Sequence, residues 1–209
     1  MGYYPLFLDL SGLHCVVVGG GAVAERRVEG VLDAGAAVTV VSPEVAPGLI
    51  ALVAAGRLRH LARAYRPGDL AAADLAFAAV DDPAVSAAVA LEARERAVWV
   101  NVADGPEHCD FILPGLVRRG LLTVAVGSSG ASPALTRALR EHLDTVLGQE
   151  WVTLAELAAT ARRELRAAGR AADGATWRSA LGSDVRALLA EGRLGEARSR
   201  LRTRLELSA

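Results

Sequence analysis

The chain has 209 residues, a formal net charge of -1 and an apolar fraction of 52%. That balance gives no global attraction to nucleic acid or to an anionic membrane, and the length suits one large domain or a nucleotide-binding domain with a smaller partner. Every basic side chain apart from the histidines is arginine, which excludes a Walker A loop, a Schiff-base lysine and a Tyr-x-x-x-Lys reductase centre.

Tyr3 to Leu10 is an apolar approach that Pro5 and Asp9 make irregular or edge-like. From His14 to Ala24 an apolar run breaks into three glycines and resumes as a helix. Val16 to Val18 read as a buried parallel strand, and Gly19, Gly21 and Ala24 fill the G-x-G-x-x-G/A pattern of a dinucleotide-binding turn. The first glycine permits the turn, the second admits a pyrophosphate, and the small third residue lets helix and strand pack. A glycine turn that serves packing alone is the alternative. The helix expected from Ala22 to Ala34 carries Val23, Val28, Val31 and Leu32 near helical spacing and stops at Gly35.

Ala37 to Val41 is the second strand and completes a right-handed βαβ unit. Its end carries Ser42-Pro43-Glu44 in place of the usual acidic residue, so Ser42 is the candidate for the ribose and Glu44 sits far along. No arginine stands there for a 2'-phosphate. Pro47 to Gly56 reads as a short helix, Leu58 to Leu61 as a strand, and Arg66 to Asp69 as a turn. Leu75 to Val80 is the fourth strand. Asp82 and Pro83 then open a helix through Glu95, as N-cap and first helical residue. Val98 to Val102 is the fifth strand. This alternation specifies a Rossmann-type, doubly wound parallel sheet. Its ligand edge then gathers Gly19, Gly20, Gly21, Ala22 and Val23, with Ser42 and Pro43, Ala79 and Val80, and Asn101, as candidate cofactor contacts.

After Asp104 the rhythm changes. Asp110 to Arg118 and Leu121 to Val126 are two strand-like runs around Arg119-Gly120. Ser132-Pro133 starts a helix to about Leu147, and from Trp151 only helical spacing follows, broken near Gly169 and Gly192. Asp104 leaves the sheet where a carboxylate can take a proton beside a nicotinamide, or it only forms a turn with Gly105. Gly127 to Ala131 can form an anion-binding nest at a helix start. Arg118, Arg119, Arg137 and Arg140 suit a substrate with several carboxylates, and surface solubility explains each equally well.

His108 and Cys109 are adjacent and lack further metal ligands, so no metal site is expected; Cys109 reads as packing at the hairpin start. The two cysteines form no Cys-x-x-Cys pair, no charged-then-apolar leader opens the chain, and no run of about 18 apolar residues lacks a charge. A cytoplasmic location is therefore expected.

Four blocks together resemble the precorrin-2 dehydrogenase family, which includes stand-alone enzymes and the amino-terminal part of sirohaem synthases. They are Val17 to Arg26, Asn101 to Asp104, Cys109 to Pro114, and Ser128 to Leu135. The resemblance implies NAD-dependent oxidation of precorrin-2 to sirohydrochlorin, and a homodimer. It also implies an NAD-binding domain at 1–113, a dimerisation segment at 114–148 and a C-terminal helical domain at 149–209. The family's aspartate after Asn-Val falls on Asp104, with a role in dehydrogenation and, in bifunctional members, in ferrochelation. Its serine-rich loop falls on Ser128 to Ser132 and lines the tetrapyrrole site, with Ser128, Ser129 and Gly130 as candidate substrate contacts; Arg118 and Arg137, taken from the residues above, are the candidate carboxylate partners.

Three positions depart from the family pattern. Ala79-Val80 replaces a common Ala-Thr, Gly127 replaces a frequent serine, and Gly105 replaces a frequent second aspartate. These departures weigh against iron insertion more than against dehydrogenation. A reading from another class is a non-catalytic NAD-sensing module, which would need no acid or base at Asp104.

Overall fold

The computed structural model describes residues 2–207, so residue 1 and residues 208–209 of the expected segments lie outside the described residues. The described chain divides into two compact units with the boundary between Leu113 and Pro114.

The first unit is built on a five-stranded parallel sheet of order β3-β2-β1-β4-β5. Its strands are β1 (His14–Val18), β2 (Ala37–Val41), β3 (Arg59–Leu61), β4 (Leu75–Ala78) and β5 (Trp99–Val102). The helices α1 (Ala22–Asp33), α2 (Pro47–Ala54) and α3 (Pro83–Arg96) form the crossovers. Side chains alternate across β1 because the strand period is two. Cys15 and Val17 join a core with Ala24, Val28 and Val31 of α1 and Leu49 of α2. Val16 and Val18 face the other way, toward Val89, Ala90 and Ala93 of α3. A sheet apolar on both faces must be covered on both, which makes the fold doubly wound.

The helix starts follow their capping residues. Asp82 accepts from the Ala84 amide at 2.8 Å and Pro83 opens α3. The left-handed Ala97 (φ 56) ends α3 and delays β5 by one residue, since Val98 N–H still donates to Ala93. Two strands differ from the expected bounds more substantially. β1 begins at His14, because Ala37 and Asp74 hydrogen bond to the carbonyls of Leu13 and His14 and extend the pairing. β4 ends at Ala78, because β1 has already turned away at Gly19; Ala79 N–H closes on Val18 O as the last bond.

The second unit starts with the antiparallel pair β6 (Gly115–Arg119) and β7 (Leu122–Val126), followed by α4 (Pro133–Val146). Ser132 caps α4 by accepting from Leu135 N–H at 3.2 Å. Four helices follow: α5 (Gln149–Ala167), α6 (Gly174–Ala180), α7 (Ser183–Ala190) and α8 (Leu194–Arg204). They enclose a core of Leu154, Leu165, Val185, Leu188 and Leu201. The tail breaks at Gly182 as well as near Gly169 and Gly192, and Gly182 occupies the N-cap position of α7. The expected first hairpin strand, Asp110 to Arg118, is displaced to Gly115–Arg119. Residues 109–111 are bonded back to β5 instead, and Pro114 has no N–H to donate to a ladder.

A buried carboxylate fixes the loop between β3 and β4. Glu92 of α3 accepts from Tyr65 Oη, from the backbone of Gly68 and Leu70, and from Arg96 Nε at 2.6 Å. Burial opposes its ionisation, but these four donors outweigh burial and hold its carboxyl below the usual range. A depressed native pKa contributes stability that is present above the unfolded value and is lost as the pH falls. Glu92→Ala should therefore cost about 3 kcal/mol at pH 7 in a denaturant titration. The difference from wild type should begin to shrink as the pH falls below the ordinary glutamate value of about 4.3, and disappear only as it falls on through the lower value of the folded state.

Candidate active site

The carboxyl ends of four strands finish level. Val18 pairs with Val41 and with Ala78, and Ala78 pairs with Val102. The turns that leave these ends therefore share one edge of the first unit: Gly19–Gly21, Ser42–Ala46, Ala79–Val80 and Ala103–Gly105. In open α/β sheets this is the edge that takes ligands.

The glycine turn is locked against two of its neighbours. Gly19 N–H donates to Val41 O at 2.9 Å, and Ala46 N–H donates to Gly20 O at 2.7 Å. A Cβ on Gly19, whose φ is +118, would fall 2.1 Å from Ala79 O; one on Gly20 would fall 2.0 Å from Glu44 O. Both positions admit only glycine. Gly21 is different, because a Cβ there would meet nothing within 4 Å. It stands at the N-cap of α1 and offers no side-chain cap, so the first amides of α1 are left to a ligand. Ala22 and Val23 are exposed beside it, and Ala24 is fully buried against the strand. The turn is closed behind and open in front, which fits a pyrophosphate at the helix start.

The ribose side differs from a free hydroxyl. Ser42 is buried and its Oγ donates to Glu44 O at 2.6 Å. Its lone pairs remain able to accept, whereas its proton is engaged in shaping the loop that meets Gly20. Pro43 and Glu44 are exposed beyond it. Ala79 and Val80 are half-buried past the end of β4, with the Ala79 carbonyl against Gly19. Asn101 is buried, and its Nδ2 donates to Phe111 O at 2.9 Å. Its amide holds the chain returning from the Asp104 turn.

Asp104 is exposed, takes a left-handed conformation (φ 60), and accepts no hydrogen bond from any described residue. A charge that the sequence pattern does not single out is Arg27, half-buried on α1. Burial and the neighbouring Arg26 lower its pKa, while Asp104 and Cys109 act in the opposite sense, so its guanidinium lies within electrostatic reach of the Asp104 carboxylate. Its place three residues after Ala24, on the flank of the phosphate helix, was the available signal. Cys15 takes no part: burial, with Asp74, pushes its thiol up to about 11.

The remaining candidates lie in the second unit. Ser128 Oγ donates to Ser132 O and accepts from Ser132 N–H and Thr136 Oγ1, at 3.0–3.2 Å. One donor and two lone pairs are then all used, and the hydroxyl closes the loop at the start of α4. Ser129 (φ 52) and Gly130 (φ 82) form its exposed tip. Arg118 stands opposite Thr123 in the hairpin, and Arg137 is exposed on α4. The cleft of about 260 Å³ lined by Thr153, Glu156, Arg198 and their neighbours on α5 and α8 contains none of the candidate site residues. Among the described residues no cluster of three or more His, Cys, Asp or Glu is arranged to hold a metal ion.

A parallel sheet of order 3-2-1-4-5 with a glycine turn opening its first helix defines a Rossmann-type dinucleotide-binding protein. The chain belongs to the family described as "Putative NAD(P)-binding", whose profile matches residues 6–115.

Among its relatives, a siroheme synthase of Methylobacillus flagellatus is 46% identical over 162 residues, which is 78% of this chain and 35% of that protein. A siroheme synthase of Thiobacillus denitrificans is 38% identical across 100% of this chain and 44% of its own length. The chain thus spans between about a third and 44% of the length of these curated relatives. A solved structure titled "SirC, precorrin-2 dehydrogenase" superposes with a TM-score of 0.81 at 27% identity, covering 96% of this chain and 100% of that one.

The two kinds of glycine separate by experiment. Gly20→Ala should lower stability by about 2 kcal/mol or more in a denaturant titration, because its Cβ collides with backbone. Gly21→Ala should change stability by no more than about 1 kcal/mol. It should nevertheless weaken NAD⁺ binding about tenfold, or about 1.4 kcal/mol by calorimetry. Equal losses of stability at both positions would contradict this division.

Proposed function

We propose that the chain oxidises precorrin-2 to sirohydrochlorin with NAD⁺, on the route to sirohaem. The observation that carries this reading is an unpaired carboxylate, Asp104, on the same sheet edge as the open phosphate turn at Gly21. Similarity to SirC over almost the full length of both chains supports the choice of substrate. When bound, NAD⁺ supplies the hydride acceptor. The protein's own residues then have two tasks: to hold the dinucleotide and to take the proton that leaves with the hydride.

Backbone amides at the start of α1 hold the pyrophosphate, the Ser42–Glu44 loop borders the ribose, and Ala79 and Val80 flank the turn. Asp104 receives the proton, since it is exposed and has no competing hydrogen-bond partner among the described residues. In the second unit, the backbone amides of the exposed tip at Ser129 and Gly130, in the loop that Ser128 closes, together with Arg118 and Arg137 take substrate carboxylates, as amide and guanidinium donors do. NADH should appear when the wild type is mixed with precorrin-2 and NAD⁺. Asp104→Asn should lower kcat about 100-fold with NAD⁺ affinity unchanged. An unchanged kcat would remove Asp104 from the proton-accepting role, and NAD⁺ binding with no NADH formed by the wild type would favour the non-catalytic NAD-sensing alternative.

A cytoplasmic homodimer completes the proposal. The strands β6 and β7 pair only with each other among the described residues. Two strands alone are marginal in water, and their outer edges are open to another chain. On α4, Leu135, Leu139 and Val146 are 51%, 43% and 52% exposed, and no residue of that helix is buried. A second copy would cover both features. No helix among the described residues is long and apolar enough to cross a membrane. Sedimentation should give a dimer that Leu135→Glu with Leu139→Glu converts to monomer, leaving NAD⁺ binding intact.

A further inference from the structure

The edge strand β5 is not left open. In the sheet order it has a strand neighbour on one side only, β4. On the other side the returning segment 109–111 takes the place of a sixth strand, largely through side chains. Val100 N–H donates to Asp110 Oδ2 at 2.9 Å, while Asp110 N–H donates to Val100 O at 2.9 Å. Asn101 Nδ2 donates to Phe111 O. Val102 N–H donates to Cys109 Sγ at 3.1 Å. The same thiol has two carbonyls within donating distance, Val102 O at 3.3 Å and Gly105 O at 3.4 Å.

The only residues between these clamped points are the turn that carries Asp104 and the short 3₁₀ turn Pro106–His108. Cys109 therefore grips the turn at both ends, at Val102 before Asp104 and at Gly105 after it. Asp104 holds a left-handed φ of 60, a region that residues other than glycine visit uncommonly, aspartate more readily than most. Such a conformation persists where its surroundings over-determine it. The opposite flank is fixed too, by Ala103 N–H donating to Ala78 O at 2.8 Å.

We infer that Asn101, Cys109 and Asp110 form a clamp along the free edge of β5 that fixes the direction of the Asp104 carboxylate, with Cys109 as its central positioning residue. The clamp acts through Asp104 and does not touch the cofactor. Asn101 accordingly serves the geometry of the turn in place of a direct contact with NAD. This inference rests on the proposed dehydrogenase reading, in which the aim of Asp104 toward the reacting centre determines turnover. A carboxylate on an unclamped turn samples more directions, and the fraction poised to take a proton falls.

The test compares wild type, Cys109→Ala and Cys109→Ser with precorrin-2 and NAD⁺, expressing kcat per NAD⁺-binding site counted by calorimetry. Counting sites removes any loss of folded protein. Alanine deletes both the sulfur acceptor and its proton, whereas serine keeps a donor and an acceptor on a shorter bond. Cys109→Ala should lower kcat per site about tenfold with KM and Kd for NAD⁺ within about twofold of wild type, and Cys109→Ser should recover most of the loss. Wild-type kcat per site in Cys109→Ala would overturn the inference, as would loss of NAD⁺ binding in both variants, which would make the clamp a general fold element. Absence of NADH from the wild type itself would overturn the dehydrogenase reading and this inference together, so the two failures are told apart.

Discussion

The first unit depends on a contact between two pieces of backbone. The carbonyl of Glu44 sits where a Cβ of Gly20 would be, and Ala46 N–H closes on the Gly20 carbonyl at 2.7 Å. This contact joins the phosphate turn to the loop that leaves β2. It requires glycine at Gly20, a folded-back path through Ser42 and Glu44, and strands β1 and β2 that end level. Gly19 makes the matching approach to β4 through Ala79. Three strand ends are thereby held around one turn whose front, at Gly21, stays open. The site is rigid because backbone in van der Waals and hydrogen-bond contact has no rotamer freedom with which to relax.

Function follows from what this frame leaves unsatisfied. The amides at the start of α1 have no side-chain cap, and Asp104 has no hydrogen-bonded partner among the described residues. One asks for an anion and the other for a proton. A dinucleotide meets the first and the oxidation of a reduced substrate meets the second, which is why a dehydrogenase is the economical reading of this edge. Other polar candidates are engaged within their own units: Ser42 shapes its loop, Asn101 secures the return of the Asp104 turn, and in the second unit Ser128 closes the loop before α4.

Much of this was legible in the sequence, for reasons particular to each element. The order of strands and helices followed from apolar runs punctuated by Gly35, Pro47, Pro83 and Gly148, which stop or start elements through backbone geometry alone. The caps at Asp82 and Ser132 were readable because a serine or aspartate ahead of proline has one local use. Gly19 and Gly21 were readable from spacing, and Asp104 from its place at the end of a strand. The structural role of Gly20 was not, since only the folded loop shows that Glu44 arrives there. The internal engagement of Ser42, Asn101 and Cys109 was hidden for the same reason: each partner lies across a turn whose path the sequence does not spell out. The strand expected from Asp110 failed because side chains, rather than a backbone ladder, hold residues 109–111 to β5.

The central claim is that oxidation of precorrin-2 and reduction of NAD⁺ are one event at this edge of the first unit. Its most direct measurement is the ratio of NADH to sirohydrochlorin formed by the purified wild-type protein without oxygen, both followed by absorbance in one cuvette. The account predicts equal amounts of the two products throughout the reaction. Sirohydrochlorin appearing without NADH, or neither product appearing while NAD⁺ binds normally, would contradict it.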